Sequence, residues 1–153
     1  MRYRERLTVP WWWWPPAFVV ATLVALEVNR AAQDLPNWVG FAVLFVVAAG
    51  VLIWFGRVEV RVLSGEDGTP TLWAGPAHLP ADVIARSATI PRTAKSAALG
   101  RQLDPAAYVL HRPWVGPLVL VVLDDPDDPT PYWLVSSRHP EQVLSAMRQS
   151  PDP

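Results

Sequence analysis

The sequence predicts an α+β protein, in which an N-terminal transmembrane helical hairpin is followed by a small antiparallel β domain closed by a C-terminal helix. Three observations support this prediction. Two apolar stretches lie between Trp11 and Gly56, a period-two alternation of valine with charged residues begins at Arg57, and a short amphipathic segment ends near Met147. With 153 residues, the chain has room for one small domain and a short membrane anchor.

Composition separates these two parts and limits the classes of function. Charged residues make up 18% of the chain, below the roughly 25% that is usual for soluble domains. Residues 57–153 carry nine basic and eleven acidic residues, a net charge of −2, so nothing there indicates a nucleic-acid partner. The chain has no cysteine, which excludes disulfides, thiol catalysis and thiolate metal sites and agrees with a cytoplasmic domain.

The second apolar stretch, Trp38 to Phe55, contains no charged residue. As a helix it would be about 27 Å long at 1.5 Å per residue, close to the hydrocarbon thickness of a bilayer. Trp38 opens the stretch and Trp54 lies near its end, and tryptophan is enriched at membrane interfaces. The pattern predicts a transmembrane helix over residues 38–55. A buried core helix is the alternative, but a domain this small could not surround it.

The first apolar stretch is less regular. Four consecutive tryptophans precede Pro15 and Pro16, and prolines are tolerated in a first helical turn because its N–H groups have no partner there. The sequence predicts a span over about residues 13–30, with the tryptophans at the headgroup level; an aromatic ligand box is the alternative. Glu27 and Arg30 are expected to pair near the far interface. The predicted interface residues are Trp11, Trp12, Trp13, Trp14, Trp38 and Trp54.

Small residues repeat along one face of the first span. The face consists of Ala17, Ala21 and Ala25. A spacing of four puts these residues on one face of the helix, and their small side chains allow a second membrane helix to approach closely. Because alanine is common here, chance spacing is the alternative. The expected partners on the second helix are Ala42, Ala49 and Gly50.

Basic residues flank the hairpin on one side. Three arginines precede the first span, Arg57 and Arg61 follow the second, and the connecting loop holds only Arg30. Because Lys and Arg stay preferentially cytoplasmic, both termini are predicted inside a multi-pass protein of the inner (plasma) membrane. No clear cleavage site indicates a removed signal peptide. The predicted organisation is a basic tail over residues 1–10, the hairpin over 11–56 and a cytoplasmic β-rich domain over 57–150.

From Arg57 the pattern predicts strands. Val58, Val60 and Val62 alternate with charged residues, as on a half-buried strand, and a turn at residues 64–68 leads to a return strand from Thr71. Further strands are predicted at residues 82–90, 107–111, 118–123 and 132–136. A helix is expected from His139-Pro140 to about Met147, because proline suits a first helical turn. Strands followed by one amphipathic helix define an α+β layout.

Two resemblances extend this prediction. The element order is similar to the pleckstrin-homology-like arrangement, a bent antiparallel sheet closed by a C-terminal helix. RYRERLTVPWWWW, Ala107-Tyr108-Val109, Arg112-Pro113-Trp114-Val115 and DDPDDPTPYWLVSSRHPEQVLSAM resemble an uncharacterised family of small actinobacterial two-span membrane proteins. The second resemblance covers most of the chain. It implies a domain of unknown function and assigns no activity, ligand or catalytic residue.

Four aspartates are concentrated between Asp124 and Asp128. Several carboxylates are the ligands that a hard cation such as calcium prefers. Pro126 and Pro129 interrupt the cluster, and the glycine turn and closing glutamate of the helix–loop–helix calcium motif are missing from the sequence there. A solvated connecting loop is therefore favoured, and no metal site is expected.

Basic residues are frequent and acidic residues scarce in segment 84–103. Such a segment beside a membrane could meet anionic headgroups, at about 1 kcal/mol per basic residue near the surface; a solvated loop is the alternative. Arg112 beside Trp114, and Arg138 after the last strand, could mark a partner surface. The residues predicted for lipid or partner contact are Arg86, Arg92, Lys95, Arg101, Arg112, Trp114 and Arg138.

No motif in the sequence indicates catalysis. His78, His111 and His139 are far apart along the chain, and the nucleophile elbow, phosphate loop and zinc signatures are missing. A catalytic triad assembled in space stays possible from sequence alone. The sequence favours a protein that is not an enzyme and that has no cofactor.

The leading functional hypothesis is a membrane-anchored interaction or scaffold module that binds a protein or an anionic lipid at the inner leaflet. One alternative is an accessory or assembly subunit that acts through its helices, and another is a small enzyme with a spatially assembled site. The expected partners are the lipid bilayer and either a membrane protein or a second copy of the chain, without nucleic acid. A transporter is not favoured, because the second span has no polar side chain beyond its ends.

Overall fold

The computed structural model describes residues 2–31, 36–65 and 67–148. The chain divides into a β-rich unit, Met1–Leu7 with Val58–Pro153, and a helical unit, Thr8–Arg57. The α+β prediction is confirmed, because two long apolar helices are accompanied by two sheets and a C-terminal helix. Predictions that concern residues 32–35, Glu66 and residues 149–150 lie outside the described residues.

The helical unit contains the two predicted helices. A 3-10 turn at Trp11–Trp13 leads into α1, Trp14–Ala31, and α2 covers Asn37–Phe55. Pro15 and Pro16 lie in the first turn of α1, where a missing N–H removes no helical hydrogen bond. Each predicted span agrees with its helix to within about one residue. Both helices are long and apolar enough to cross a membrane.

The small face of α1 is the packed face of the hairpin. Ala25 is 0% exposed and Ala21 is 6% exposed, and one turn towards the N-terminus the ring centroids of Phe18 and Phe45 are 5.2 Å apart. At the other end of the hairpin, Asn29 Nδ2 donates a hydrogen bond of 2.7 Å to the carbonyl oxygen of Asn37. The expected role of Ala21 and Ala25 in helix packing therefore agrees with the structure.

The expected partners on α2 require a correction. A Cβ atom at Gly50 would meet nothing within 4 Å, whereas one at Gly40 would lie 2.5 Å from Asn29 Oδ1. Ala42 is exposed and Ala49 is half-buried. The helical twist of about 100° per residue carries Ala42 to the far side of α2 from Gly40, so the choice of small residues alone did not identify the contact face.

The first sheet is antiparallel with the order β1-β2-β3-β4. Its strands are β1 (Tyr3–Arg6), β2 (Glu59–Ser64), β3 (Pro70–Ala74) and β4 (Ala77–Pro80). Two of them differ from the sequence-based prediction. Strand β1 lies within residues 1–10, which were predicted as a tail, and β4 lies between two predicted strands. Gly75, with a φ of 65°, forms the tight turn from β3 to β4.

The second sheet has the order β5-β7-β8-β6. Its strands are β5 (Ile84–Ile90), β6 (Tyr108–Leu110), β7 (Leu118–Leu123) and β8 (Tyr132–Ser136). The bounds of β7 and β8 are those predicted. One pair departs from the antiparallel prediction, because β6 runs parallel to β8. The segment between β5 and β6 contains the short helix α3 (Lys95–Ala98) and is long enough to bring the chain back in the parallel direction.

The core of the β-rich unit lies between the two sheets and the C-terminal helix α4, Pro140–Arg148. Leu72 of the first sheet, Val121 of the second sheet and Val143 of α4 are each 0% exposed. Leu7 belongs to the same core and is also 0% exposed. The residue immediately before the helical unit is therefore a core residue of the β-rich unit.

Candidate anion-binding surface

A buried carboxylate ties strand β1 to the start of α4. Glu5 is 7% exposed, and its Oε2 atom accepts hydrogen bonds from Tyr3 Oη at 2.9 Å and Ser137 Oγ at 2.6 Å. Its Oε1 atom accepts a bond of 2.9 Å from the backbone N–H of Arg138. Burial, and then the bond to Glu5, raise the pKa of Tyr3 to about 12. These bonds hold Arg138 beside the end of β1.

Three arginines surround one carboxylate on the outer face of β1 and β2. We call Arg4, Arg6 and Arg61 the arginine array. Arg4 Nη2 lies 2.7 Å from Glu59 Oε1, Arg61 Nε lies 3.4 Å from Glu59 Oε2, and Arg6 also pairs with Glu59. Hydrogen bonds from Arg4 and Arg6 lower the pKa of Glu59 to about 2. Since three guanidinium groups share one carboxylate, positive charge is in excess on this face.

The array continues to Arg138. Its Nη1 atom donates a hydrogen bond of 3.0 Å to the backbone oxygen of Arg6, the last residue of β1. Arg138 is exposed, so its guanidinium adds positive charge to the same end of the strand.

A tight turn at residues 112–115 forms the other part of the surface. The N–H of Val115 donates to the carbonyl oxygen of Arg112 at 3.1 Å, and Pro113 occupies the second position, which its fixed φ favours. The backbone N–H of Arg112 donates to Ser136 Oγ at 2.9 Å. Trp114 Nε1 donates to the carbonyl oxygen of Leu7 at 3.2 Å. The turn is therefore fixed to β8 and to the end of β1.

Lys95 of α3 holds the turn from a third side. Its Nζ atom donates to the carbonyl oxygen of Arg112 at 3.2 Å and also to that of Val115. Burial, and then the neighbouring Arg92, lower the pKa of Lys95. Lys95 thus lies within the folded structure of the turn, and two of the three ammonium donors have carbonyl partners.

The remaining side chains of the turn are also basic or aromatic. Arg112 Cζ lies 5.9 Å from the ring centroid of Trp114, a cation–π geometry. Burial, then Lys95 and Arg112, lower the pKa of His111. A Cβ atom at Gly116 would lie 3.3 Å from Arg92 Cδ, so the stem of Arg92 covers this glycine. We call Arg92, Lys95, His111, Arg112 and Trp114 the turn cluster.

No described carboxylate forms an ion pair with the cations of the turn cluster. The ion pairs among residues 2–31, 36–65 and 67–148 are made by Glu27 and Glu59. The charged neighbours that affect Lys95 and His111 are all cationic. The cluster therefore concentrates positive charge without a compensating acid, which is the electrostatic requirement of an anion site.

The structure brings together five of the seven residues predicted for lipid or partner contact. Arg92, Lys95, Arg112 and Trp114 meet at the turn, and Arg138 lies at the end of β1. Arg86 instead lines a separate cleft of about 360 Å³ together with Met147 and Arg148, and it pairs with Val122, towards the opposite end of β7 from Leu118. Arg101 is exposed in the loop that follows α3.

Sequence reasoning missed His111 and Glu5 as members of this region. The available signal for Glu5 was the alternation Tyr3-Glu5-Leu7, which places it on the inner face of β1. The signal for His111 was its position directly before the Arg112-Pro113 turn.

The aspartate loop uses its carboxylates locally. Asp125 Oδ1 accepts a bond of 3.0 Å from the N–H of Asp127, and Asp128 Oδ1 accepts one of 2.8 Å from the N–H of Thr130. Hydrogen bonds from Thr130 lower the pKa of Asp128. Within the described part of the chain, no group of three or more His, Asp or Glu residues could hold a metal ion.

These features define a class: a small α+β protein in which an apolar helical hairpin is inserted between the first two strands of a two-sheet unit. Residues 2–147 match the family described as Protein of unknown function (DUF3093), and the chain belongs to that family. The resemblance to an uncharacterised family is thereby confirmed. No curated protein and no solved structure matches the chain.

Proposed function

We propose that the chain is a multi-pass inner (plasma) membrane protein whose hairpin crosses the bilayer twice and whose β-rich unit binds anionic lipid headgroups at the inner leaflet. The single observation that carries the binding part is the position of the basic groups. Arg138 and Trp114 donate hydrogen bonds to the backbone oxygens of Arg6 and Leu7. Arg6 and Leu7 are the last two residues of the β-rich unit before the hairpin.

The surface of the helices supports the membrane part of the proposal. In the most apolar 18-residue stretch of each helix, 11% of the first helix and 6% of the second is buried, whereas the core helix of a soluble protein would be mostly buried. Val46 is 72% exposed and Val20 is 60% exposed. Exposing so large an apolar area to water is unfavourable, whereas contact between that area and lipid tails is not. Trp11, 79% exposed, and Trp54, 66% exposed, stand near the helix ends, where interfacial tryptophans are expected.

The connectivity supports an even number of crossings. The N–H of Leu7 donates a bond of 2.9 Å to the carbonyl oxygen of Val58, so both ends of the hairpin join neighbouring strands of one sheet. Two crossings return the chain to the side from which it started. Removal of α1 as a cleaved signal peptide would also remove β1, with the buried Glu5 and Leu7. The arginines that flank the hairpin support a cytoplasmic location for the β-rich unit, because Lys and Arg stay preferentially on that side.

The architecture of the β-rich unit agrees with a binding module. Two sheets closed by a C-terminal helix are similar to the pleckstrin-homology-like arrangement. In our proposal the arginine array, Arg138 and the turn cluster face anionic headgroups, each basic group contributing about 1 kcal/mol within about a Debye length of the surface.

Lipid selectivity tests this proposal with a matched control. The full chain is reconstituted in nanodiscs of phosphatidylcholine and phosphatidylglycerol, and the lipids that stay bound are counted by native mass spectrometry. The triple variant Arg4→Gln/Arg6→Gln/Arg61→Gln should lose phosphatidylglycerol preference by about tenfold or more, because three surface cations are lost. Arg86→Gln/Arg101→Gln/Arg148→Gln removes the same charge elsewhere and should keep the preference. Equal losses in the two variants would reject the proposal.

One observation favours a second candidate, an accessory or assembly subunit that acts through its helices. Ala42 and Gly50 are exposed on α2, and a Cβ atom at Gly50 would meet nothing within 4 Å. Small exposed residues allow another membrane helix to approach closely. Complementation with a chain that lacks residues 59–148 separates the two candidates. A hairpin that restores function alone would favour the accessory subunit over the headgroup-binding module.

A further inference from the structure

The turn cluster has unused hydrogen-bond donors. A guanidinium group has five N–H donors, and within the described residues Arg112 uses one side-chain donor, from Nη1 to the carbonyl oxygen of His111 at 3.3 Å. Its Nε atom is buried and has no partner there. Lys95 Nζ keeps a third donor, since its two hydrogen bonds within the described residues go to carbonyl oxygens. A buried donor without a partner destabilises the protein unless a ligand or water satisfies it.

The cations of the cluster come from separate elements of the fold. Lys95 belongs to α3, Arg92 to the turn before it, and His111 and Arg112 follow β6. Like charges in one place repel, and here the cationic neighbours lower the pKa values of Lys95 and His111 in addition to burial. An anion with several oxygen atoms would reverse this repulsion.

The backbone of the cluster is arranged before any ligand binds. The turn is closed by its own hydrogen bond and is also held by Ser136, by Lys95 and, through Trp114, by Leu7. The ring of Trp114 supports the guanidinium of Arg112. A rigid site loses little conformational entropy on binding, which favours affinity.

We propose that the turn cluster is a binding site for a phosphoryl group of the monoester class, held by the guanidinium groups of Arg92 and Arg112, the ammonium of Lys95 and the imidazole of His111. A phosphate monoester has three terminal oxygens and close to two negative charges near neutral pH, which matches several cations better than a carboxylate does. Arginine binds phosphate oxygens through two parallel N–H bonds. The inference rests on the proposed function for the source of the ligand, the leaflet; dissolved phosphate is the other source of the same chemistry.

Binding is tested by NMR of the histidine rings in the full chain. The protein is placed in phosphatidylcholine nanodiscs and titrated with inorganic phosphate at several pH values. Occupancy should raise the pKa of His111 by about 1 unit, because an adjacent opposite charge favours the protonated ring. The rings of His78 and His139, which lie outside the turn cluster, should not respond.

Arg112→Gln should weaken phosphate binding by about tenfold or more, because a charge-assisted hydrogen bond to the phosphoryl group is lost. The matched variant Arg86→Gln should bind as the unaltered chain does. Since the bond to Ser136 comes from the backbone of residue 112, Arg112→Gln keeps the anchor of the turn. Arg92→Gln provides a second variant, which removes another of the proposed phosphate-binding groups and leaves the Arg112 guanidinium beside Trp114 in place.

One further nanodisc composition, phosphatidylcholine with phosphatidic acid, identifies the source of the phosphoryl group. If phosphatidic acid shifts the His111 signal without added phosphate, the site binds a lipid headgroup; if only dissolved phosphate does, it binds a free phosphate. Either result supports the site. An unchanged His111 signal with both probes, or the same shift in Arg112→Gln, overturns it. If the chain prefers phosphatidylglycerol but the His111 signal does not respond to phosphate, this inference is rejected and the proposed function stands. If the His111 signal responds to phosphate but the chain shows no preference for phosphatidylglycerol, only the proposed function is rejected.

Discussion

Glu5→Gln is expected to lower the free energy of unfolding of the β-rich unit by about 3 kcal/mol. The carboxylate of Glu5 is 7% exposed and accepts hydrogen bonds from Tyr3, Ser137 and Arg138. A glutamine amide keeps one acceptor oxygen, and its NH₂ group can bond the hydroxyls of Tyr3 and Ser137 only with the direction of those bonds reversed, so the charge-assisted bonds become weaker neutral ones. Because Ser137 is 0% exposed, water cannot compensate for the weaker bond there.

Denaturant unfolding of the full chain, followed by near-ultraviolet circular dichroism, measures this loss. Glu59→Gln is the matched control, because Glu59 lies on the neighbouring strand and pairs with Arg6 in the register of β1 and β2. Its arginine partners are 40–64% exposed, while the Glu59 side chain is 13% exposed, and ion pairs with such solvated partners contribute about 1 kcal/mol or less to stability. If both variants lost the same stability, the Glu5 network would not be the main link between β1 and α4.

The same residue shows where sequence reasoning ended. Tyr3, Glu5 and Leu7 alternate with arginines and point inward. Because Glu5 is charged, the alternation of apolar and polar residues that predicts a strand is interrupted there. Its burial is explained by Ser137, which is 132 positions away along the chain, and no local pattern carries that information. Strands β7 and β8 were predicted with correct bounds, because their runs of valine and leucine carry the signal within the strand itself.

The candidate site shows the same division between local and long-range information. The basic residues could be named from composition, and their side-chain chemistry follows from residue type. Their convergence depends on Trp114 bonding to Leu7, 107 positions away, and on Lys95 reaching the carbonyl oxygens of the turn. Arg86 belongs to the same basic segment by sequence, yet the register of β5 on β7 carries it towards the other end of the sheet.

Ala25→Leu is expected to destabilise the helical hairpin by about 1–3 kcal/mol, the usual effect of an overpacked interface. Ala25 is 0% exposed and Ala21, one turn away, is 6% exposed, so a larger side chain would force α1 and α2 apart. Leucine forms helices almost as well as alanine and partitions favourably into lipid. A loss of stability can therefore come only from the contact between the helices.

Thermal melting of the full chain in a mild detergent measures this effect by far-ultraviolet circular dichroism. Ala42→Leu makes the same substitution at an exposed position of α2 and should leave the melting temperature unchanged. Equal melting of the two variants would contradict helix packing through the small face of α1. A lower melting temperature for Ala25→Leu alone would show that Ala21 and Ala25 set the distance between the helices. Both variants add the same side-chain volume, but only at position 25 must that volume fit between two helices.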